Sequence, residues 1–426
     1  MKENEITKKF ASLEDKENLI EKEKKEIEIK KKQLEKEIEE KKRIIQNYKK
    51  EEKSGNPFEK YRIPPLIGLN NIGAAYFMNS SLQCLSQTKE LTKYFLEERN
   101  KNHIINNNIE SVNKNALQLS PIYLELIKKL WDENGEKSFS PYNFMNIIER
   151  INPLFKQGQA GDSKDFVIFI LEQLHKELKK SVNSNNGFDN KLALNQYDKE
   201  NSFKYFCNEF KKECSIISDI FFGFKETTNE CLYCKNYYNP QGSNNPIYYN
   251  YDIFNCLIFP LEEVKNIKNN TINNIQINNN HVSIYECFYY IQKSDLISGK
   301  KNYCSICKQL WDSIYTSKIY ISPNVLIIIL NRGKGNIYDV KLDFTETIDI
   351  TQFVVQKDKP QIIYNLYGVI TNIGQSRPNP HFIASCKNSI DNKWYRFNDT
   401  FVITINNFQK EVIEFGAPYI LFYKKI

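Results

Sequence analysis

Two C-x-x-C pairs constrain the fold of this chain more than any other feature of its sequence. Cys231 and Cys234 form the first pair, and Cys304 and Cys307 form the second, about seventy residues later. Each pair turns the backbone so that two sulfurs face one point, and four thiolates complete a closed tetrahedral zinc site. We therefore expect a structural zinc ion that ties together the ends of a long insertion and takes no part in chemistry. Four unmetallated thiols at a hairpin tip, or two redox pairs, are the alternative, although redox C-x-x-C pairs normally open a helix.

Length and composition predict a folded protein of one large domain or two ordinary ones, since 426 residues with 41% hydrophobic side chains can bury a core. The net charge of +7 is spread over many residues of both signs, so nucleic acid is not an expected partner. No run approaches the roughly 18 consecutive apolar residues of a membrane span, and the charged N-terminus does not resemble a signal peptide. We expect a cytoplasmic or nuclear protein with reduced thiols. The six cysteines outside the two pairs are predicted to be buried apolar residues: Cys84, Cys207, Cys214, Cys256, Cys287 and Cys386.

Residues 1–54 predict one long charged helix, because they are rich in Lys and Glu and lack Gly and Pro until SGNP at residues 54–57. Half of a coiled-coil seam recurs every seven residues, at Ile6, Leu13, Ile20, Ile27 and Leu34. The other half is charged in its middle, so a two-stranded coil would pair weakly. A solvated single helix held by i,i+4 ion pairs is the alternative. Either form could bind a partner helix or form a homodimer. Residues 55–63 are predicted to be a linker.

Residues 64–426 predict a globular α+β domain. Its first half is helical, and short aromatic and β-branched runs follow, such as NVLIIIL at 324–330 and APYILFY at 417–423. Between these halves the chain is rich in Asn and low in complexity at about 265–280, which predicts an exposed insertion loop.

The stretch GLNNIGAAYFMNSSLQCL at 68–85 predicts a tight loop that feeds a helix beginning near Tyr76. A helix N-terminus carries unpaired N–H groups and partial positive charge, so a thiol there ionises easily and backbone donors point at a developing oxyanion. A nucleophilic Cys is expected at this position. Its base and the residue that orients the base are expected in NPHFIAS and WYRFNDTFV, which carry His381 and the pair Asn398 and Asp399 on two predicted neighbouring strands.

In these motifs the domain resembles the ubiquitin-specific protease family, which are papain-like cysteine peptidases that cleave ubiquitin from its conjugates. The resemblance covers about 64–426 and rests on the 68–85 frame, DSKDFVIFILEQLHKEL (162–178), IFFGFKETTNECLYC (220–234) with the second C-x-x-C, SPNVLIIILNR (322–332), the His motif and APYILFY. It implies a helical thumb, a β-rich palm and zinc-bearing fingers that grip ubiquitin. It also implies a channel between thumb and palm that takes the C-terminal tail of ubiquitin to the nucleophile.

The same resemblance assigns roles to individual residues. Asn71 falls on the oxyanion-hole position, His381 on the catalytic His, and Asn398 on the residue that orients it. Asp399 is a candidate support for Asn398, with a strand-end turn as the alternative. Asp162 falls on a position that meets the ubiquitin tail, and the alternative for it is a first-turn charge favoured by the helix dipole.

Tyr76 falls on the nucleophile itself, and this departure outweighs the matches. A phenol is hardly ionised at neutral pH and is a poor acyl carrier. Cys84 cannot replace the nucleophile, because eight residues of helix place it about 12 Å away. Other cleft positions also depart from the family, which has Thr, Gln, His and Gly where this chain has Ala75, Gly161, Asn372 and Pro380.

The sequence therefore predicts a catalytically inactive ubiquitin-specific protease homologue, a pseudo-deubiquitinase that binds ubiquitin or a ubiquitin-like protein without cleaving it. One alternative is a working thiol-dependent deubiquitinase, through another nucleophile or through a sequence error at position 76, where Cys and Tyr codons differ by one base. The other alternative is a scaffold that no longer binds ubiquitin because Tyr76 fills the tail channel.

Overall fold

The computed structural model describes residues 57–97, 118–179, 193–237, 247–271, 280–332, 340–374 and 381–426. The chain divides into two compact units, Met1–Lys60 and Tyr61–Ile426. Of the first unit, residues 57–60 are described and form a turn. The predicted charged helix at 1–54 lies outside the described residues.

The first half of the second unit is helical. In chain order it contains β1 (Gly68–Leu69), α1 (Tyr76–Ser86), α2 (Lys89–Leu96), α3 (Ser120–Leu130), β2 (Ser138–Phe139), α4 (Tyr142–Ile151), α5 (Ser163–Glu177), α6 (Lys199–Phe210) and α7 (Ile216–Phe221).

The second half is mainly β-structure. In chain order it contains β3 (Gly223–Cys231), α8 (Leu232–Tyr237), β4 (Ile247–Phe254), β5 (Leu257–Pro260), α9 (Leu261–Thr271), β6 (His281–Ser283), α10 (Ile284–Ile291), β7 (Ser294–Cys304), β8 (Gln309–Ile321), β9 (Val325–Asn331), β10 (Lys341–Asp343), β11 (Thr347–Asp349), β12 (Ile363–Asn372), β13 (Phe382–Lys387), β14 (Trp394–Asn398), β15 (Phe401–Ile405) and β16 (Ala417–Lys425).

Two larger sheets organise these strands. An eight-stranded sheet has the order β15-β14-β13-β12-β16-β9-β5, with β11 paired to β12, and a four-stranded sheet has the order β4-β3-β8-β7. In β9 all six residues from Val325 to Leu330 are buried. Such a continuous apolar run fits a strand covered on both faces. Leu326, Ile328 and Leu330 share a hydrophobic cluster with residues of α9 and α10.

Helix α1 is buried along almost its whole length and packs against α5 and β13. Every residue from Phe77 to Ser86 is buried, although several are polar. Two of the hydroxyls find partners within the helix: the Ser80 hydroxyl donates to the Tyr76 carbonyl at 2.8 Å, and the Ser81 hydroxyl donates to the Phe77 carbonyl at 2.6 Å. This packing fixes the first residue of α1 against the eight-stranded sheet.

Two predicted boundaries differ from the structure. The chain stays helical in α9 through residue 271, because Leu261 and Val264 are buried in the hydrophobic cluster, so the predicted loop at about 265–280 does not begin at 265. Residues 272–279 lie outside the described residues. In the predicted linker, Tyr61 is buried and its hydroxyl donates to the Trp131 carbonyl at 2.5 Å, so the compact unit begins before Pro64. None of the described helices combines the length and the apolar character needed to cross a membrane.

Candidate active site

The loop between β1 and α1 is built around the side chain of Asn71. Its Oδ1 accepts hydrogen bonds from the backbone N–H groups of Gly73 and Ala75, both at 3.1 Å. Gly73 (φ 102°) and Ala74 (φ 50°) adopt left-handed backbone conformations, which cost energy for a residue with a Cβ and tend to occur at functional loops. The turn ends at Tyr76, which is the first residue of α1 and is partly buried.

Tyr76, His381 and Asn398 come together from three distant parts of the sequence. The Tyr76 and His381 rings meet edge to face, with 4.0 Å between their centroids and 62° between their planes. The Nε2 atom of His381 lies 2.8 Å from Oδ1 of Asn398. Because an amide oxygen can only accept, Nε2 must donate, and the neutral imidazole then carries its lone pair on Nδ1. This is the arrangement of a base with its orienting residue, and β13 and β14 are hydrogen-bonded neighbours as the sequence predicts.

Asp399 joins the 68–76 loop and α1 to the hairpin that carries Asn398. Its Oδ1 accepts from Asn79 at 2.7 Å, its Oδ2 accepts from Asn71 at 3.2 Å, and its carbonyl accepts from the Leu69 N–H at 3.0 Å. A Cβ on Gly68 would lie 2.7 Å from the Asp399 carbonyl oxygen, so only glycine fits where this loop meets the hairpin. Asp399 therefore fixes the geometry of the site from the turn between β14 and β15.

Asn79 is a site residue that the sequence reasoning missed. It is only 3% exposed, and its Nδ2 reaches the carbonyls of Leu69 and Asn70 as well as Asp399. A buried amide on an otherwise closely packed helix needs partners, and this requirement is the signal that could have identified it. Asn79 ties α1 to the loop on its N-terminal side.

The contacts of Asn71 limit its use as an oxyanion donor. Its Oδ1 is taken by two backbone N–H groups, and one hydrogen of its Nδ2 points to the Asp399 carboxylate. The second Nδ2 hydrogen is the one left for an oxyanion, and its direction is fixed because Asp399 holds the amide in place. Asn71 thus acts first as the residue that shapes the loop.

Asp162 is the N-cap of α5, and both oxygens of its carboxylate are contacted by two other residues. It accepts from the Lys164 N–H at 2.8 Å and from Lys164 Nζ at 2.7 Å, and the Tyr419 hydroxyl lies 2.9 and 2.7 Å from its two oxygens. Burial acts to lower the pKa of Lys164, but the hydrogen bond and the charge of Asp162 outweigh it and leave that pKa raised. The ion pair is local, between residues two apart at the start of one helix.

Gly161, one of the departures from the family pattern, is explained by its contact with Phe77. A Cβ at position 161 would lie 2.8 Å from the Phe77 ring, so any side chain there would force that ring to move. Asn372 is buried, and its Oδ1 accepts from the Gly374 N–H at 2.9 Å. Pro380 lies outside the described residues.

Cys84 does not provide an alternative nucleophile. It is fully buried, and its sulfur lies 3.6 Å from the sulfur of Cys386 on β13. Burial raises the pKa of the Cys84 thiol well above its ordinary value, and the neighbouring Cys386 thiol adds to this effect. A thiol in this environment is unreactive.

The four cysteines of the two C-x-x-C pairs form one cluster that could hold a metal ion. Their sulfurs all lie within 4.8 Å of one another, with 4.0 Å between Cys231 and Cys307 and 3.6 Å between Cys234 and Cys304. A tetrahedral site with metal–sulfur bonds of about 2.3 Å has sulfur–sulfur distances of about 3.8 Å, so these spacings fit. The cluster joins the end of β3 and the start of α8 to the β7–β8 hairpin.

The helical first half, the sheet-rich second half and the Tyr76–His381–Asn398 group together define a domain of the ubiquitin-specific protease class. A family model described as "Ubiquitin carboxyl-terminal hydrolase" matches residues 67–423, and the chain belongs to this family. The family and the α+β fold predicted from the sequence are thereby confirmed.

Similar proteins agree with this assignment. "Ubiquitin carboxyl-terminal hydrolase 2" of Bos taurus is 25% identical over 372 residues, covering 84% of this chain and 55% of the relative. "Probable ubiquitin carboxyl-terminal hydrolase 4" of Schizosaccharomyces pombe is 25% identical over 381 residues, covering 84% of this chain and 58% of the relative. The match thus spans little more than half the length of each of these two relatives.

Solved structures of the SAGA DUB module that contains Ubp8 share the fold. The module bound to monoubiquitin has a TM-score of 0.60 and 22% identity, and the match covers 86% of this chain and 72% of the other. The module bound to ubiquitin aldehyde has a TM-score of 0.59, with the same identity and coverage. At this level of identity, the likeness concerns the fold alone.

Proposed function

We propose that this domain is a pseudo-deubiquitinase, which binds ubiquitin or a ubiquitin-like protein without cleaving it. The observation that carries the proposal is the position of Tyr76. Its phenol ring stands at the first residue of α1, 4.0 Å from the His381 ring, where the family has its nucleophilic thiol.

The loss of cleavage follows from the chemistry of these side chains. A general base needs a nucleophile that can carry the acyl group. The phenol of Tyr76 is a poor acyl carrier. In a related type of triad, removing the nucleophile costs about 10⁶ in rate. His381 and Asn398 keep the geometry of a base and its orienting residue, but they have no thiol to activate.

Retained binding is supported by the frame around the site. The loop, α1 and the β14–β15 hairpin are joined through Asp399, and the fold resembles structures that hold monoubiquitin or ubiquitin aldehyde. A direct binding measurement tests this part of the proposal.

We further propose that the four-cysteine cluster holds a structural zinc ion. Four thiolates close the coordination sphere, so the ion would tie β3 and α8 to the β7–β8 hairpin without binding substrate. All ten cysteines lie in the described part of the chain, and none of them forms a disulfide. Such thiols suit a reducing compartment, and we assign the protein to the cytoplasm or nucleus.

The proposal is tested by measuring binding and cleavage on the same purified protein. Titration with mono-ubiquitin should give saturable binding, whereas a ubiquitin probe with a C-terminal electrophile should leave the intact mass of the protein unchanged. A covalent adduct on any residue would establish the competing function, an active deubiquitinase. Absence of ubiquitin binding would support the third reading, a scaffold.

A further inference from the structure

We infer that the domain recognises ubiquitin by its folded body and does not read the end of its C-terminal tail, because Tyr76 and Lys164 occupy the contacts that the tail would use. This inference rests on the proposed function. It identifies Tyr76 as a specificity-determining residue and not only as a lost nucleophile.

Tyr76 excludes the tail by its bulk. A thiol ends one bond beyond Cβ, whereas the phenol ring extends much further and meets the His381 imidazole in van der Waals contact, with the ring centroids 4.0 Å apart. In acyl transfer, the reacting carbonyl must lie about 3 Å from the nucleophile and close to the base. The Tyr76 ring occupies space directly against the His381 imidazole, and we infer that this is the space a reacting carbonyl would need. The last residues of a threaded tail therefore have no place beside His381.

Lys164 acts on the second contact, the Asp162 carboxylate. A carboxylate accepts about four hydrogen bonds. Here the backbone and Nζ of Lys164 and the hydroxyl of Tyr419 already contact both of its oxygens at 2.7–2.9 Å. These three donors leave room for at most one more, so a donor on the tail would compete with groups already in place.

The two effects differ in size. The side chains of Lys164 and Asp162 are 39% and 32% exposed, and partly exposed ion pairs contribute little. Displacing Lys164 should therefore change affinity by at most several-fold. The steric exclusion by Tyr76 cannot be overcome without moving a ring packed against His381, so Tyr76 is the dominant element.

The experiment compares two ligands, ubiquitin and ubiquitin lacking its last two residues, by calorimetric titration. For the wild type we expect the two dissociation constants to agree within about twofold. Tyr76→Gly opens the channel, so it should bind complete ubiquitin at least about tenfold more tightly than the truncated form. Tyr142→Gly is the matched control, because Tyr142 is also the first residue of a helix, α4, and is 51% exposed. It should behave like the wild type, and thermal melts establish that both variants fold.

The outcomes separate the inference from the proposed function. Wild type that binds complete ubiquitin more than about tenfold more tightly than the truncated form would overturn the inference and leave the proposed function standing. Wild type that binds neither form would refute the proposed function. If Tyr76→Gly then gains binding of complete ubiquitin alone, exclusion of the tail by Tyr76 is upheld. If Tyr76→Gly also binds neither form, the inference falls with the proposed function.

Discussion

Restoring a thiol at position 76 should restore part of the chemistry. In Tyr76→Cys the new thiol stands at the first residue of α1, facing the imidazole that the Tyr76 ring now touches. His381 is already oriented by Asn398 at 2.8 Å, with its lone pair on Nδ1. The helix N-terminus also favours the thiolate. The residues that we propose as the base and its orienting partner thus stand in place before the substitution.

The size of the gain follows from two opposing factors. A missing nucleophile costs about 10⁶ in rate in a related triad, which sets the upper limit of the recovery. Asn71, however, is held by Asp399 and by two backbone N–H groups, so its second Nδ2 hydrogen cannot turn toward the oxyanion, and we count it as one lost oxyanion donor at a cost of about 10²–10³. We therefore expect Tyr76→Cys to gain about 10³- to 10⁴-fold over the wild type, equivalent to about 4–5.5 kcal/mol of transition-state stabilisation.

Two measurements are combined. The first detects, by intact mass, the covalent adduct with an electrophilic ubiquitin probe. The second follows the rate at which a fluorophore is released from the C-terminus of ubiquitin. Tyr76→Ser, which opens the same space without a good nucleophile, is the matched control and should form no adduct. Adding His381→Ala to Tyr76→Cys should lower the rate by about 10²–10⁴. A Tyr76→Cys protein that binds ubiquitin but forms no adduct would refute the reasoning, because the His381–Asn398 pair would then not be a working base.

Three further predictions concern the frame of the site. Cys304→Ser should lose about one bound zinc ion per chain, measured by elemental analysis, and should unfold at a lower temperature. The control Cys207→Ser should retain its metal. Equal zinc content in the two variants would contradict the metal centre. Asp399→Ala breaks charged hydrogen bonds to two amides and should lower the free energy of unfolding by about 3 kcal/mol in urea, and a loss below about 1 kcal/mol would count against its structural role. Gly161→Ala should lower the free energy of unfolding by about 1–3 kcal/mol, because its Cβ would lie 2.8 Å from the Phe77 ring. Adding Phe77→Leu to this variant should recover most of that free energy. If the losses of the two single variants instead add, the two sites are independent.

Local patterns were sufficient to predict much of the fold. The continuous apolar run of β9 forms a strand buried on both faces, and the two C-x-x-C pairs meet in one cluster, because each signal is contained in a few neighbouring residues. The boundary of α9 could not be predicted in the same way. Its Asn-rich composition resembles a loop, but Leu261 and Val264 anchor the start of the helix in a core formed by distant strands.

The candidate site was predicted only where a residue type suggests chemistry. Histidine next to a predicted strand and the Asn398–Asp399 pair are visible in the sequence. Their partners are not, because Asn79 and Asp399 are separated by 320 residues, and nothing local indicates that one will donate to the other. The contact between Gly161 and Phe77 also joins distant parts of the sequence, so the sequence showed a departure from the family without its cause.

These contacts also decide which residues bear on catalysis. Asn71 and Asp399 hold the 68–76 loop, α1 and the β14–β15 hairpin together, and a domain that only binds would need them as much as an enzyme would. Their presence is therefore neutral between the two functions. The pair of His381 and Asn398 is different, since its hydrogen bond fixes a tautomer suited to a base. The Tyr76 ring lies against that imidazole, so we expect substitutions at position 76 to change cleavage and binding separately.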